Sequence, residues 1–154
     1  MSVILIKTEK EMEELAKKFG KCCPENEKLI IFLNGELGAG KTFFVRALLK
    51  NLGYTGLVKS PTYTLIETYE IGSYSIFHLD LYRLQSANEI VEMGLCDEFD
   101  YPALWLIEWP ERAFDFLPKP DIVCHINLID MNRQILFRAE TIQGEQTLTL
   151  FNPY

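Results

Sequence analysis

The residues Gly35-Glu36-Leu37-Gly38-Ala39-Gly40-Lys41-Thr42 constrain this chain more than any other stretch, because they match G-x-x-x-x-G-K-[ST]. At ordinary residue frequencies the four fixed positions would arise by chance in roughly one chain of this length in a few hundred. The flanks narrow the reading further. Leu29-Ile30-Ile31-Phe32-Leu33, just before the motif, is apolar at every position, as a parallel strand buried on both faces should be. Beyond it, Val45, Leu48, Leu49 and Leu52 recur at helical spacing and Gly53 marks the stop. Strand, glycine-rich turn and helix in that order let the backbone curl into a nest of inward N–H groups at a helix N-terminus, which is a cradle for phosphate. Gly38, Ala39 and Gly40 supply its backbone. Lys41 is placed to neutralise the β- and γ-phosphates of a nucleotide, and the Thr42 hydroxyl to take one position on a bridging Mg²⁺.

A chain of 154 residues with 48% hydrophobic and 24% charged residues fits one globular domain over 1–154 and excludes a collagen, a coiled coil or a disordered tail. Its net charge of −7 argues against holding nucleic acid unaided, since release of counterions from phosphates needs a basic face. No apolar run approaches the ~20 residues of a membrane span, and no basic segment precedes Val3-Ile4-Leu5-Ile6, so neither a membrane anchor nor a secretory signal is expected. The cytoplasm is the expected location. Cys22, Cys23, Cys96 and Cys124 form no C-x-x-C pair and read as reduced structural residues.

Other elements follow from period and turn chemistry. Val3 to Ile6 reads as a strand, and Thr8 with Glu11 as a capping box opening a helix that ends at Gly20. Glu67 to Ile71 and Tyr74 to Leu79 flank Gly72-Ser73, a hairpin with a type II′ turn. Ser86 and Glu89 cap a short helix through Met93, and the stretch from Arg83 to Arg112 carries seven acids and no base between its ends. Ala103 to Ile107 is a second all-apolar strand. Ile122 to Ile129, Gln134 to Ile142 and Thr147 to Phe151 read as three C-terminal strands, broken at Asp130-Met131-Asn132 and Gln143-Gly144.

Hydrolysis of a bound nucleotide also needs acids to hold the metal's water shell and to polarise a water. Asp80 and Glu108 each end an apolar strand, where a parallel sheet presents its ligands. Either could instead cap the segment that follows. His78 reads two ways, as a reporter of phosphate or metal, or as the partner of a neighbouring carboxylate. The one Lys-x-Asp, Lys119-Pro120-Asp121, follows Pro118 rather than the Asn or Thr of guanine-specific sites, which favours ATP. Five unclustered arginines do not make the lid of a small-molecule kinase.

Four blocks in order resemble the TsaE family, formerly YjeE: the glycine-rich motif, Lys59-Ser60-Pro61-Thr62-Tyr63-Thr64-Leu65, His78-Leu79-Asp80-Leu81-Tyr82-Arg83-Leu84 and Leu106-Ile107-Glu108-Trp109-Pro110-Glu111. The resemblance implies an α/β, P-loop NTPase-like three-layer fold with a mixed, mainly parallel central sheet and antiparallel C-terminal strands. It also implies ATP/ADP and Mg²⁺ as ligands, and weak ATPase activity unless partners are present. The partners it implies are TsaD and TsaB, which transfer threonylcarbamoyl to the adenosine beside the tRNA anticodon, so that tRNA is met only through the complex. Carried over by residue, Lys41, Asp80 and Glu108 are catalytic, and Thr42, Asp80 and Glu108 hold the metal. Thr62 senses the γ-phosphate or the metal from a switch loop over Ser60 to Thr64, and Trp109 and Arg133 lie near the nucleotide, with Thr8 and Glu9 toward the base. From the residues alone, Trp109 is equally a core or interface aromatic and Arg133 a turn arginine. Two other readings stay open on the motif alone, a small-molecule phosphotransferase and a nucleotide-dependent binding module with negligible chemistry.

Overall fold

The computed structural model describes residues 3–152. Its elements are β1 (Val3–Ile6), α1 (Glu9–Gly20), β2 (Leu29–Asn34), α2 (Lys41–Asn51), β3 (Ile66–Ile71), β4 (Tyr74–Asp80), α3 (Asn88–Glu92), α4 (Leu95–Glu98), β5 (Leu104–Glu108), β6 (Ile122–Ile129), β7 (Asn132–Ala139) and α5 (Ile142–Leu150). The strands form one sheet in the order β1-β7-β6-β2-β5-β4-β3. The inner pairs β4–β5, β5–β2 and β2–β6 are parallel, and β3–β4, β6–β7 and β7–β1 are antiparallel.

Two cores explain the all-apolar strands. Along β2, Leu29, Ile31 and Leu33 join the cluster under α1 and α2, while Ile30 and Phe32 join a second cluster on the opposite face. On β5, Leu104 and Leu106 take the first side and Trp105 and Ile107 the second. A strand covered on both faces has no position at which a polar residue would be free of a desolvation cost. Phe19 of α1 stacks on Phe137 of β7 at 4.8 Å and meets Phe151 edge-on at 5.4 Å, which ties the N-terminal helix to the chain's end.

The turn readings hold locally, with two variations. Thr8 caps α1 by accepting from Glu11 N, but the Glu11 carboxylate returns to Lys7 N at 2.7 Å, one residue before the usual capping-box donor. Gly72 takes φ 61° in the β3–β4 hairpin, as a type II′ turn requires of its first central residue. Of the Ser86–Glu89 box only the carboxylate half forms, with Glu89 Oε1 accepting from Gln85 N and Ser86 N, while the Ser86 hydroxyl accepts from Asn88 N and α3 itself spans only Asn88–Glu92. All four cysteines are free.

The C-terminus departs from the expected third strand. Residues 147–151, read as strand, lie in and just after α5, whose N-cap Thr141 accepts from Gly144 N at 3.1 Å. Gly144 is a close-packing glycine inside this helix, since a Cβ there would sit 2.0 Å from Asp121 O. Asp121 is the hub. It is buried and accepts from Ile30 N (2.8 Å) and Thr141 Oγ1 (2.6 Å), so β2 and the α5 cap hang on one carboxylate.

Candidate functional site

The loop from Gly35 to Gly40 leaves the C-terminal end of β2 and turns into α2. Gly40, the N-cap, takes φ 110° and ψ 18°, a conformation that L side chains rarely adopt, and Gly38 takes φ 80°. A Cβ on Gly40 would lie 2.9 Å from Nε of Arg133, which donates to Ala39 O at 2.7 Å. The guanidinium thus clamps the loop from β7. α2 has no side-chain cap and no acid in its own first turn, so its positive N-terminal end is not neutralised from within the helix. Lys41, 5% exposed, donates to Gly35 O (2.5 Å) and Glu36 O (2.9 Å) and lies 4.3 Å from the centre of the Trp109 ring. Burial pulls its pKa down, against the pull of Glu108, Asp80 and Glu111.

Asp80 and Glu108 face each other at the ends of neighbouring parallel strands, in direct register. Glu108 is buried, and its Oε1 accepts from Thr42 Oγ1 at 3.0 Å and lies 2.8 Å from His78 Nε2. Of the two readings of His78, the pairing with a carboxylate is the one the structure holds. His78 Nδ1 is buried with no partner among the described residues. Asp80 accepts from Tyr82 N (3.1 Å) and Thr62 Oγ1 (3.3 Å), and Thr62 in turn shares a hydrogen bond of 2.7 Å with Ser60. Burial raises the Asp80 pKa, opposed by the Tyr82 N–H and reinforced by the Glu108 charge.

These groups line one cleft of about 450 Å³. Gly38, Gly40, Lys41, Thr42, Thr62, Asp80, Glu108, Trp109 and Arg133 all border it, and Ala39 is buried behind the loop. Trp109 covers Lys41 at the cleft and also packs on Tyr82 at 4.9 Å. Its φ of 57° is unusual for a bulky residue. Arg133 is not in a turn. It sits near the start of β7, opposite Leu128. Thr8 and Glu9 are not among the lining residues, and Thr8 uses its hydroxyl to cap α1. Leu37, Phe43, Tyr82 and Arg83 border the cleft without having been expected. For Tyr82 and Arg83 the signal was their place directly after Asp80.

Thr42, Glu108 and Asp80 offer a hydroxyl and two carboxylates, hard oxygen donors of the kind Mg²⁺ takes. No group of three or more His, Cys, Asp or Glu among the described residues could hold a metal alone. That sparse set fits a cation that draws its remaining ligands from phosphate and water. A larger groove of about 620 Å³ between β1 and α1 lies away from these groups and is walled by Lys10, Glu14, Lys18 and the β1 side chains. No helix among the described residues is long and apolar enough to cross a membrane.

The family model for threonylcarbamoyl adenosine biosynthesis protein TsaE matches residues 6–135. A tRNA threonylcarbamoyladenosine biosynthesis protein TsaE of Haemophilus influenzae is 39% identical over 150 residues, 96% of this chain and 95% of that one. The protein of the same name from Bacillus subtilis is 35% identical over 111 residues, 71% of this chain and 69% of its own. The crystal structure of Bacillus subtilis YdiB superposes with a TM-score of 0.79 at 26% identity, covering 96% of this chain and 91% of that one. The matched motif blocks and these similarities along the chain show that it belongs to the TsaE family, with a role in the biosynthesis of threonylcarbamoyladenosine in tRNA.

Proposed function

We propose that the protein binds and hydrolyses ATP with Mg²⁺, and that it supports repeated turnover of the TsaD–TsaB threonylcarbamoyl transferase. The observation that carries this reading is the convergence of Lys41, Thr42, Asp80 and Glu108 on one cleft at the mouth of a glycine-rich loop. Backbone N–H groups of the loop and the α2 N-terminus bind the phosphates, and Lys41 adds a point charge on the β- and γ-oxygens. When bound, Mg²⁺ neutralises charge across the β- and γ-phosphates. Thr42 and Glu108, already in contact at 3.0 Å, are the residues to hold it, with Asp80 across the strand boundary. Asp80 also joins the site to the Ser60–Thr64 loop through Thr62, so occupancy at the γ-phosphate orders that loop. Hydrolysis is slow until TsaD and TsaB bind, and tRNA is held by those partners, as the −7 charge favours.

The test is ATP hydrolysis with Mg²⁺ by the chain alone and with its cognate TsaD and TsaB, alongside a count of modified tRNA per transferase. Slow turnover that the partners stimulate, with more than one modification per transferase, supports the proposal. Failure to bind ATP overturns it. So do partners that reach multiple turnover without this chain, or γ-phosphate transfer to a metabolite in place of water.

A further inference from the structure

We infer that Arg83 is the cation that stabilises the γ-phosphoryl group in the transition state of hydrolysis, and that the exposed ring of Tyr63 holds it ready beside the cleft. The inference rests on the ATPase reading above. In that reaction the oxygen of water bonds to the γ-phosphorus while the bond from phosphorus to the bridging oxygen breaks. The electron pair leaves on the β-phosphate of ADP, and the proton lost by the water passes to an oxygen of the phosphate product. Charge therefore grows at the bridging and γ-oxygens, and a cation that meets them only at that point lowers the barrier.

The cleft holds three cationic residues, and two already have a place, Lys41 at the β- and γ-phosphates and Arg133 on the loop. Lys41 is bonded to two loop carbonyls and covered by Trp109, and Arg133 spends Nε on Ala39 O. Arg83 lines the same cleft and has no ion pair with a carboxylate among the described residues. Its guanidinium carbon lies 4.3 Å from the centre of the Tyr63 ring, and Tyr63 is 81% exposed. A cation–π contact at such an exposed site is weak enough to exchange for a charge-assisted, two-pronged bond to phosphate oxygens.

The backbone explains why Arg83 is presented there. After β4 the chain turns through Leu81 to Leu84, with both leucines buried in the second core. Leu81 N donates to Glu108 O (3.1 Å), Leu84 N to Leu81 O (3.1 Å) and Tyr82 N to the Asp80 carboxylate (3.1 Å). The two residues between the anchors, Tyr82 and Arg83, are left at the cleft. Tyr63 belongs to the loop that Thr62 ties to Asp80, so the segment that senses the γ-phosphate also carries the ring on which Arg83 rests.

The experiment compares wild type, Arg83→Ala and Arg83→Lys, each with TsaD and TsaB present, for ATP turnover, ADP affinity and affinity for ADP with aluminium fluoride. Arg83→Ala is expected to lose ~10²-fold or more in turnover and a comparable factor for the fluoride complex, while ADP affinity stays within about threefold. Lysine restores part of the rate, and millimolar guanidinium ion added to Arg83→Ala restores part as well, which a merely structural defect does not allow. Arg83→Ala turnover within about threefold of wild type overturns the inference and leaves the ATPase reading intact. Loss of ADP affinity in proportion to the rate also overturns it, since it marks ground-state binding. A wild-type protein that hydrolyses no ATP with its partners overturns both.

Discussion

Replacing Gly40 by Ala tests how the glycine-rich loop is held. Two costs follow from the geometry. An L residue at φ 110° is strained, by about 1–2 kcal/mol on the scale of left-handed backbone. The new Cβ also lies 2.9 Å from Arg133 Nε and 3.4 Å from its Cδ, so the guanidinium must leave Ala39 O. That bond is charge-assisted and worth about 1.5–3 kcal/mol. The expected loss is about 2.5–5 kcal/mol, or roughly 10²- to 10⁴-fold in nucleotide Kd, because the strain is released by opening the loop that forms the cradle. Isothermal titration with ADP and Mg-ATP reads it. A double-mutant cycle separates the terms: in an Arg133→Ala background only the backbone strain remains, so the cycle carries a coupling of about 1.5–3 kcal/mol. A Gly40→Ala protein that binds within about threefold of wild type would refute the strain, and a cycle additive to ~0.5 kcal/mol would refute the role of Arg133.

Three further outcomes can be measured. His78→Ala removes a fully buried ring 2.8 Å from Glu108, and urea unfolding should show a loss of ~2–4 kcal/mol, with turnover reduced more than in His78→Gln; stability within ~0.5 kcal/mol of wild type contradicts this. Burial raises the Asp80 pKa above its unfolded value, so this carboxyl costs the fold stability as pH rises through the raised pKa. Asp80→Asn should therefore melt above wild type at neutral pH, with the gap closing below the ordinary carboxylate range, while turnover falls roughly 10²-fold; a lower Tm at neutral pH contradicts the assignment. Gly144→Ala raises helix propensity by ~1 kcal/mol but puts a Cβ 2.0 Å from Asp121 O, so urea unfolding should show a net loss of about 2 kcal/mol or more, where a net gain would mean that α5 is free to shift.

What the sequence disclosed and what it hid divide along physical lines. Period and turn chemistry are local, so β2, α2, the Gly72 hairpin and both N-terminal caps were legible in residues a few positions apart. The strand-end acids were legible too, because each closes an all-apolar or nearly all-apolar run. The last helix was not. Thr147-Leu148-Thr149-Leu150-Phe151 alternates like a strand, and Gly144 looks like a turn residue. What decides the matter is the approach of α5 to Asp121, a contact across more than twenty residues that no local pattern records. Which carboxylate His78 pairs with was hidden for the same reason, since the contact with Glu108 depends on β4 and β5 being neighbours.

Arg133 shows how topology can place a functional group where the usual rule does not look. In a parallel sheet the expectation is that ligands meet the carboxyl ends of the strands, and Asp80, Glu108 and the loop after β2 all obey it. β6 runs parallel to β2, so its last residues also reach that edge of the sheet. The chain then reverses through Asp130, at φ 54°, and β7 returns antiparallel, which brings the first residues of β7, not the last, to the same edge. Arg133, opposite Leu128, arrives at the glycine-rich loop from there and closes on Ala39 O. A mixed sheet therefore contributes to its site from both kinds of strand end. The antiparallel return of the chain from β6 into β7 supplies the clamp on the loop.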